Sequence, residues 1–423
     1  MHHFEYRNGE MFAEGVPVRR LAKEVGTPAY VYSLATLKRH FRVFDQAFSK
    51  LPHIVCFSVK ANSNIALLRA FAKEGSGFDI VSGGELYRAL KAGADPRKIV
   101  FSGVGKKKEE IEYALKTGIL MFNVESEHEM VALNEIAAGI GTKAPISLRI
   151  NPDVDPQTHP YISTGMKKAK FGVDIKRSLE SYKKAATLPH LEVVGVDCHI
   201  GSQLTSVSPF VDALARVREY LDRMLVGSLK KESAQIRYLD LGGGLGISYK
   251  DEMPPHPEVY AQAIIKGLEG LDVTLILEPG RVIVGNAGIL VTEVQYIKET
   301  DDKKFVIVDG GMNDLIRPAL YGSYQAIRPV VEGNGETIVA DIVGPICESG
   351  DFLAKDREIA RPQRGDLLAV MSAGAYGFTM ASNYNSHPKA PEVLVDGDQY
   401  YVIRARESLE DLIRGETIPA VLQ

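Results

Sequence analysis

The chain has 423 residues, 45% of them hydrophobic and 25% charged, with a formal net charge of −4. That is material for a large core and more than one domain, and it carries no basic footprint for nucleic acid. Three widely spaced cysteines, Cys56, Cys198 and Cys347, form no CxxC pair, which argues against a disulfide framework or a structural zinc site and fits a reducing compartment.

The first twenty residues mix Glu5, Arg7, Glu10, Glu14, Arg19 and Arg20 with scattered apolar residues and do not read as a secretion signal. Residues 367–388 carry no formal charge but are broken by glycines, serines, asparagines and a proline, which excludes a membrane span. A cytoplasmic protein without membrane contact or bound metal is expected.

Residues 1–30 hold short alternating segments separated by turn signals at Asn8-Gly9 and Gly15-Val16-Pro17; they are too short to fold alone and are expected to extend a sheet elsewhere. Residues 27–32 read as a strand, and residues 34–50 follow with helical spacing of Leu37, Phe41, Phe44 and Phe48. From residue 54 a rhythm sets in, with strands starting at Ile54, Phe78, Ile99, Leu120, Ile146, Val193, Ile236 and Val273 and an amphipathic stretch after most of them. Eight β/α units predict a closed (β/α)8 TIM barrel over residues 31–284, with an open doubly wound sheet as the competitor. Residues 152–175, with Pro152, Pro156, Pro160 and Gly165, read as an inserted loop; it carries His159 and the basic run 167–170 and is a candidate cover for the active site.

After Gly285 the pattern changes. Strand-like runs at 289–297, 305–308, 337–343, 367–371, 392–395 and 400–404 predict a second, mostly antiparallel β-sandwich or barrel domain over 285–423, completed by residues 1–30. Helical spacing returns only at 409–414. Residues 106–110, Lys-Lys-Lys-Glu-Glu, read as a solvated helix start, Cys56 and Cys198 as apolar strand residues, and His387 has no assigned role.

In a barrel the carboxyl ends of all strands meet at one rim, so residues far apart in sequence share a site. Here the ends supply Lys60, Asp79 with Ser82, Ser102, Asn123 with Glu125, Arg149 with Asn151, residues 199–202, residues 242–246, and Glu278 with Arg281. An ammonium ending the buried run 54–62 either snorkels to solvent or, desolvated, becomes an imine-forming nucleophile. The run Gly242-Gly243-Gly244-Leu245-Gly246 can cradle a phosphate on backbone N–H groups; a tight packing turn and a Rossmann turn are the alternatives. His199 is either a satisfied core histidine or a flat ring for stacking. An imine-forming lysine beside a phosphate cradle suggests pyridoxal 5′-phosphate, whose ring nitrogen needs an acid such as Glu278.

The ordered set Phe57-Ser58-Val59-Lys60-Ala61-Asn62, Phe78-Asp79-Ile80-Val81-Ser82-Gly83-Gly84-Glu85, His199-Ile200-Gly201-Ser202, Gly242-Gly243-Gly244-Leu245-Gly246, Glu278-Pro279-Gly280-Arg281, Cys347-Glu348-Ser349-Gly350-Asp351 and Ala373-Gly374-Ala375-Tyr376-Gly377 resembles the alanine-racemase-like, fold type III pyridoxal-phosphate decarboxylases. The resemblance implies a barrel plus a β domain, acting as a homodimer with shared active sites on a small amino-acid substrate. It implies that Lys60 holds the cofactor, Asp79 belongs to the cofactor site, His199 stacks on the ring, and Glu278 pairs with the ring nitrogen. Ser202, Gly242, Gly243, Gly244, Gly280, Arg281 and Tyr376 would hold the phosphate. Cys347 would donate a proton across the dimer; Arg281, Arg317, Tyr321 and Tyr376 would bind substrate carboxylate, and Glu348 a distal ammonium. A fork-shaped guanidinium at Arg317 suits a substrate with a distal carboxylate. Ornithine or arginine decarboxylases of the same fold are the runner-up, and a racemase is disfavoured by Glu278.

Overall fold

A computed structural model describes residues 2–155, 170–226, 236–333 and 335–423. They form two compact units, Lys38–Ile283 and Met1–Leu37 with Val284–Gln423. His159, Lys167 and Lys168 of the expected inserted loop lie outside the described residues.

In the first of these units, eight parallel strands follow one another around a ring in chain order: His53–Ser58, Gly77–Ile80, Ile99–Phe101, Met121–Val124, Ala144–Asn151, Leu191–Asp197, Tyr238–Asp240 and Thr274–Leu277, the last pairing with the first. The helices Ile65–Lys73, Gly83–Lys91, Lys108–Thr117, Glu127–Ile140, Ile175–Thr187, Ser208–Val226 and Pro257–Gly267 alternate with them. This is the closed (β/α)8 barrel and not the open sheet. A two-residue strand, Val173–Asp174, adds to the flank of Ala144–Asn151.

The two-residue period of a strand sorts the barrel interior into layers. Cys56, Val100, Met121, Val194 and Ile276 form one buried apolar cluster. Two residues further along four of these strands stand Ser58, Ser102, Asn123 and Glu278, all buried and all polar, while the sixth strand, whose register shifts between Val193 and Gly195, keeps the apolar Val196 there. The side chains therefore change from hydrocarbon to hydrogen-bonding groups within one strand repeat, just below the carboxyl-end rim. Ser82 and Ser126 cap the helices that leave this rim, their Oγ atoms accepting from Glu85 N and Glu129 N at 3.2 Å each.

The other unit is built on a mostly antiparallel sheet. Its long strand Gly288–Glu299 pairs with Lys304–Val308, Leu367–Val370 and Ala29–Ser33. Ala29–Ser33 also pairs in parallel with Glu392–Asp396, so this strand, which straddles the boundary expected at residue 31, belongs whole to the β unit. Residues 1–17 do not extend that sheet: Phe4–Arg7, Glu10–Ala13 and Val16–Pro17 make a three-stranded sheet of their own. It is tied on by Met11 N donating to Val330 O at 2.7 Å. Phe4, Met11, Ala13 and Val16 share a buried cluster with Val31, Ile289, Val291 and Val393.

The strand Phe352–Ala360 lacks a sequence signal because it is an edge. Among the described residues it pairs only with Thr337–Val343, and it carries Lys355, Asp356, Arg357 and Glu358 in succession, the charged pattern that keeps an open edge from recruiting another strand. Among the described residues, no helix is long and apolar enough to cross a membrane.

Candidate active site

The rim of the barrel gathers the expected residues through hydrogen bonds that follow from strand register. Ser58 and Asp79 are paired across neighbouring strands, and Ser58 Oγ lies 2.9 Å from Asp79 Oδ2 and 3.0 Å from Glu278 O. Lys60, in the single 3-10 turn Val59–Ala61 that ends the first strand, donates to the same Asp79 Oδ2 at 2.6 Å. The ammonium therefore does not simply snorkel: its side chain is 38% exposed against a carboxylate that is 0% exposed.

Glu278 sits at the end of the eighth strand in a ring of neutral donors. Ser102 Oγ and Asn123 Nδ2 each lie 3.3 Å from its Oε1. Asn123 Nδ2 also donates to Asp240 Oδ2 at 3.1 Å, while its Oδ1 accepts from Ser147 Oγ at 2.6 Å. Burial, followed by the nearby carboxylates Asp240, Asp79 and Asp197, pushes the Glu278 carboxyl well above its ordinary range, with Lys60 opposing. Asp240 is pushed up to about 6, chiefly by burial. A buried group of acids that cannot all ionise is a place that welcomes a cation. Arg149 supplies one, its NH1 group on Glu125 Oε1 at 2.9 Å.

His199 is held neutral. Burial lowers its pKa well below the usual imidazole value, and the positive charges of Arg149 and Lys60 add to the effect. Its Nδ1 accepts from Gly243 N at 3.2 Å, which joins the sixth strand end to the glycine run. The glycines are required there by space. A Cβ on Gly243 would stand 2.2 Å from Glu278 O, and one on Gly242, whose φ is +63°, would stand 2.4 Å from His199 Nδ1. Beyond the run, Arg281 closes the site with NH1 on Tyr249 Oη at 2.7 Å and NH2 on Ser202 Oγ at 3.1 Å. Ser202 and Arg281 thus meet, with Gly280 adjacent in sequence. Ser82 serves as a helix cap.

Two groups escaped sequence reasoning. Asn123 reads in the sequence only as a strand end, yet it is the hub joining Ser102, Ser147, Asp240 and Glu278; strand parity alone places it inside. Lys106, expected in a solvated helix start, has a side chain 0% exposed, whereas Lys107 and Lys108 are exposed.

The β unit holds the remaining candidates. Arg317 begins the short helix Arg317–Tyr321 and is buried; its guanidinium carbon lies 5.5 Å from the Tyr321 ring centroid and 6.0 Å from that of Tyr376. Tyr376 has φ +55°, a left-handed conformation costly for an aromatic residue. Cys347 is a free, exposed thiol whose backbone N donates to Asn385 Oδ1 at 2.8 Å. Glu348 accepts from the Tyr384 hydroxyl, which raises the tyrosine's pKa. Asp351 accepts from Met312 N at 2.6 Å and Ile346 N at 2.7 Å, so one carboxylate clasps the loop that leads to Arg317 and the loop that carries Cys347.

The barrel rim fits a pyridoxal group on its own chemistry. It combines a lysine aimed at the rim, a cluster of buried carboxylates suited to a protonated ring nitrogen, and a buried Asp79 Oδ1 with no hydrogen-bond partner among the described residues. The same rim carries Arg281 with Ser202, a guanidinium and a hydroxyl suited to a phosphate, beside the glycine run, in which Gly242 N–H donates to Asp240 Oδ1 and Gly243 N–H to His199 Nδ1. A closed parallel barrel with such a rim, joined to a β unit, defines a pyridoxal-dependent decarboxylase, and the profile described as "Pyridoxal-dependent decarboxylase, pyridoxal binding domain" matches residues 34–285.

The similarity extends over the whole chain. It is 54% identical to the diaminopimelate decarboxylase of Vibrio cholerae over 420 residues, 99% of each chain. The crystal structure of diaminopimelate decarboxylase from Helicobacter pylori complexed with L-lysine is similar at a TM-score of 0.90 and 46% identity, covering 94% of this chain and 98% of that one. The crystal structure of diaminopimelate decarboxylase from m. jannaschii in co-complex with L-lysine is similar at a TM-score of 0.94 and 40% identity, covering 99% of both chains. The chain belongs to the diaminopimelate decarboxylase family.

Proposed function

We propose that this protein decarboxylates meso-2,6-diaminopimelate to L-lysine and carbon dioxide with pyridoxal 5′-phosphate as cofactor. The observation that carries the reading is the Lys60–Asp79 contact of 2.6 Å at the rim that also holds Glu278 and the glycine run. The 54% identity to a diaminopimelate decarboxylase supports this substrate over ornithine or arginine.

In this reading residues 38–283 are the cofactor-binding domain. Lys60 holds the cofactor through Nζ, with Asp79 orienting the amine. Ser202, Gly242, Gly243, Gly244, Gly280, Arg281 and Tyr376 hold its phosphate, and His199, kept neutral, covers one face of the ring. Glu278 keeps a proton at the ring nitrogen. When bound, the cofactor supplies an electron sink for the pair left behind as carbon dioxide departs. Arg281, Arg317, Tyr321 and Tyr376 bind substrate carboxylate, Glu348 pairs with the distal ammonium, and Cys347 Sγ delivers a proton to the carbon that has lost its carboxylate.

The exposed Cys347 and Glu348 act across a homodimer in the cytoplasm, where three unpaired thiols persist. Release of carbon dioxide from diaminopimelate, ornithine and arginine tests the assignment: turnover on diaminopimelate with little on the other two is expected, and preference for either alternative contradicts it.

A further inference from the structure

We propose that Lys106 is a positioning residue for the reaction, fixing the donors that hold Glu278 in place. This rests on the role given to Glu278 above. The Lys106 ammonium is wholly buried and donates to Gly103 O at 2.8 Å, Asn123 O at 2.8 Å and Glu129 Oε1 at 2.6 Å. Three N–H groups meet three acceptors, so the ammonium is fully used.

Those acceptors tie the barrel's third and fourth strand ends together. Gly103 follows Ser102, and Ser102 Oγ and Asn123 Nδ2 are the two groups 3.3 Å from Glu278 Oε1. Asn123 is bound at both ends, its backbone carbonyl by Lys106 and its amide by Glu278, Asp240 and Ser102. A shift of either strand end is therefore passed to the Glu278 carboxylate through one residue. Glu129 extends the tie, its other oxygen accepting from Glu125 N at 3.0 Å; Glu125 in turn holds Arg149. An apolar side chain of similar length would fill the same space without desolvating a charge. A lysine spanning two carbonyls and a carboxylate instead fixes geometry at the rim.

The test uses the holoenzyme and the variants Lys106→Met and Glu129→Gln. With Lys106→Met, cofactor should still be reducible onto Lys60 by borohydride, but the ratio of the bound cofactor's absorbance bands at one fixed pH should change. The value of kcat should fall about tenfold or more while KM stays within about twofold, as expected for misplacement of a catalytic carboxylate. Glu129→Gln, which leaves both carbonyl contacts, should move the bands and kcat in the same direction by less. A Lys106→Met holoenzyme with wild-type bands and kcat, changed only in melting temperature, overturns the proposal. Should that variant not fold, a Glu129→Gln enzyme with unmoved bands and kcat overturns it instead. Absence of a reducible cofactor from wild-type protein would speak against the functional reading, not against the role of Lys106 within it.

Discussion

Lys60 Nζ and Ser58 Oγ both contact one carboxylate oxygen, Asp79 Oδ2, at 2.6 and 2.9 Å. Asp79 thereby couples the lysine to the strand end that also binds the Glu278 carbonyl. Replacing Asp79 with alanine removes the shared acceptor, and the fraction of protein whose cofactor is reducible onto Lys60 should drop several-fold. Wild-type labelling of that variant would show the pair to be incidental.

The glycine run makes a packing prediction. Gly243→Ala places a methyl group 2.2 Å from Glu278 O, a backbone atom that cannot step aside. It should lower both thermal stability and cofactor retention, by about 1–3 kcal/mol in stability. Gly105→Ala meets nothing within 4 Å and should stay within about 0.5 kcal/mol of wild type by thermal unfolding.

Cys347 is exposed and lies outside the barrel unit. Cys347→Ala should leave the cofactor spectrum intact and reduce turnover by about 10²–10⁴, the range for loss of a proton donor. Loss of cofactor from this variant would refute the proposed role.

Arg317 offers a planar fork between two rings, which lysine cannot reproduce. Arg317→Lys should raise KM for diaminopimelate about tenfold or more, measured by steady-state carbon dioxide release. An unchanged KM would remove Arg317 from substrate binding.

Asp314 carries a pH signature. Burial pushes its carboxyl up to about 7, with Asp309 and Asp351 adding and the Gly311 N–H opposing. The unfolded chain releases that proton near pH 4, at about the ordinary aspartate value. Between those limits the folded chain binds the extra proton, so this group makes stability fall as pH rises toward 7 and adds no further slope above it. Asp314→Asn keeps an acceptor for Gly311 N but cannot ionise. Thermal unfolding at pH 5 and pH 8 should show the variant gaining on wild type at the higher pH; parallel behaviour would contradict this.

Much of the barrel was legible because buried parallel strands read as short apolar runs: the expected start at Ile99 is the observed one, and Ile54 and Phe78 fall one residue inside their strands. Lys60, Asp79, His199 and Glu278 were legible because ionisable residues at strand ends are conspicuous. Other features depend on which way a side chain turns. Lys106 has the sequence surroundings of a surface lysine, and only the positive φ of Gly103 and the carbonyls beside it explain its burial. The strand Phe352–Ala360 was hidden because its centre carries the exposed charged residues Lys355, Asp356 and Glu358, and the separate N-terminal sheet because three short strands carry no register of their own.

Lys60 is the residue proposed to carry the cofactor. Borohydride reduction of the purified protein, followed by proteolysis and mass mapping of the peptides, should find the reduced pyridoxyl group on the peptide containing Lys60, with loss of the visible absorbance band. A label on another lysine, or no label on protein that still decarboxylates diaminopimelate, would contradict the account.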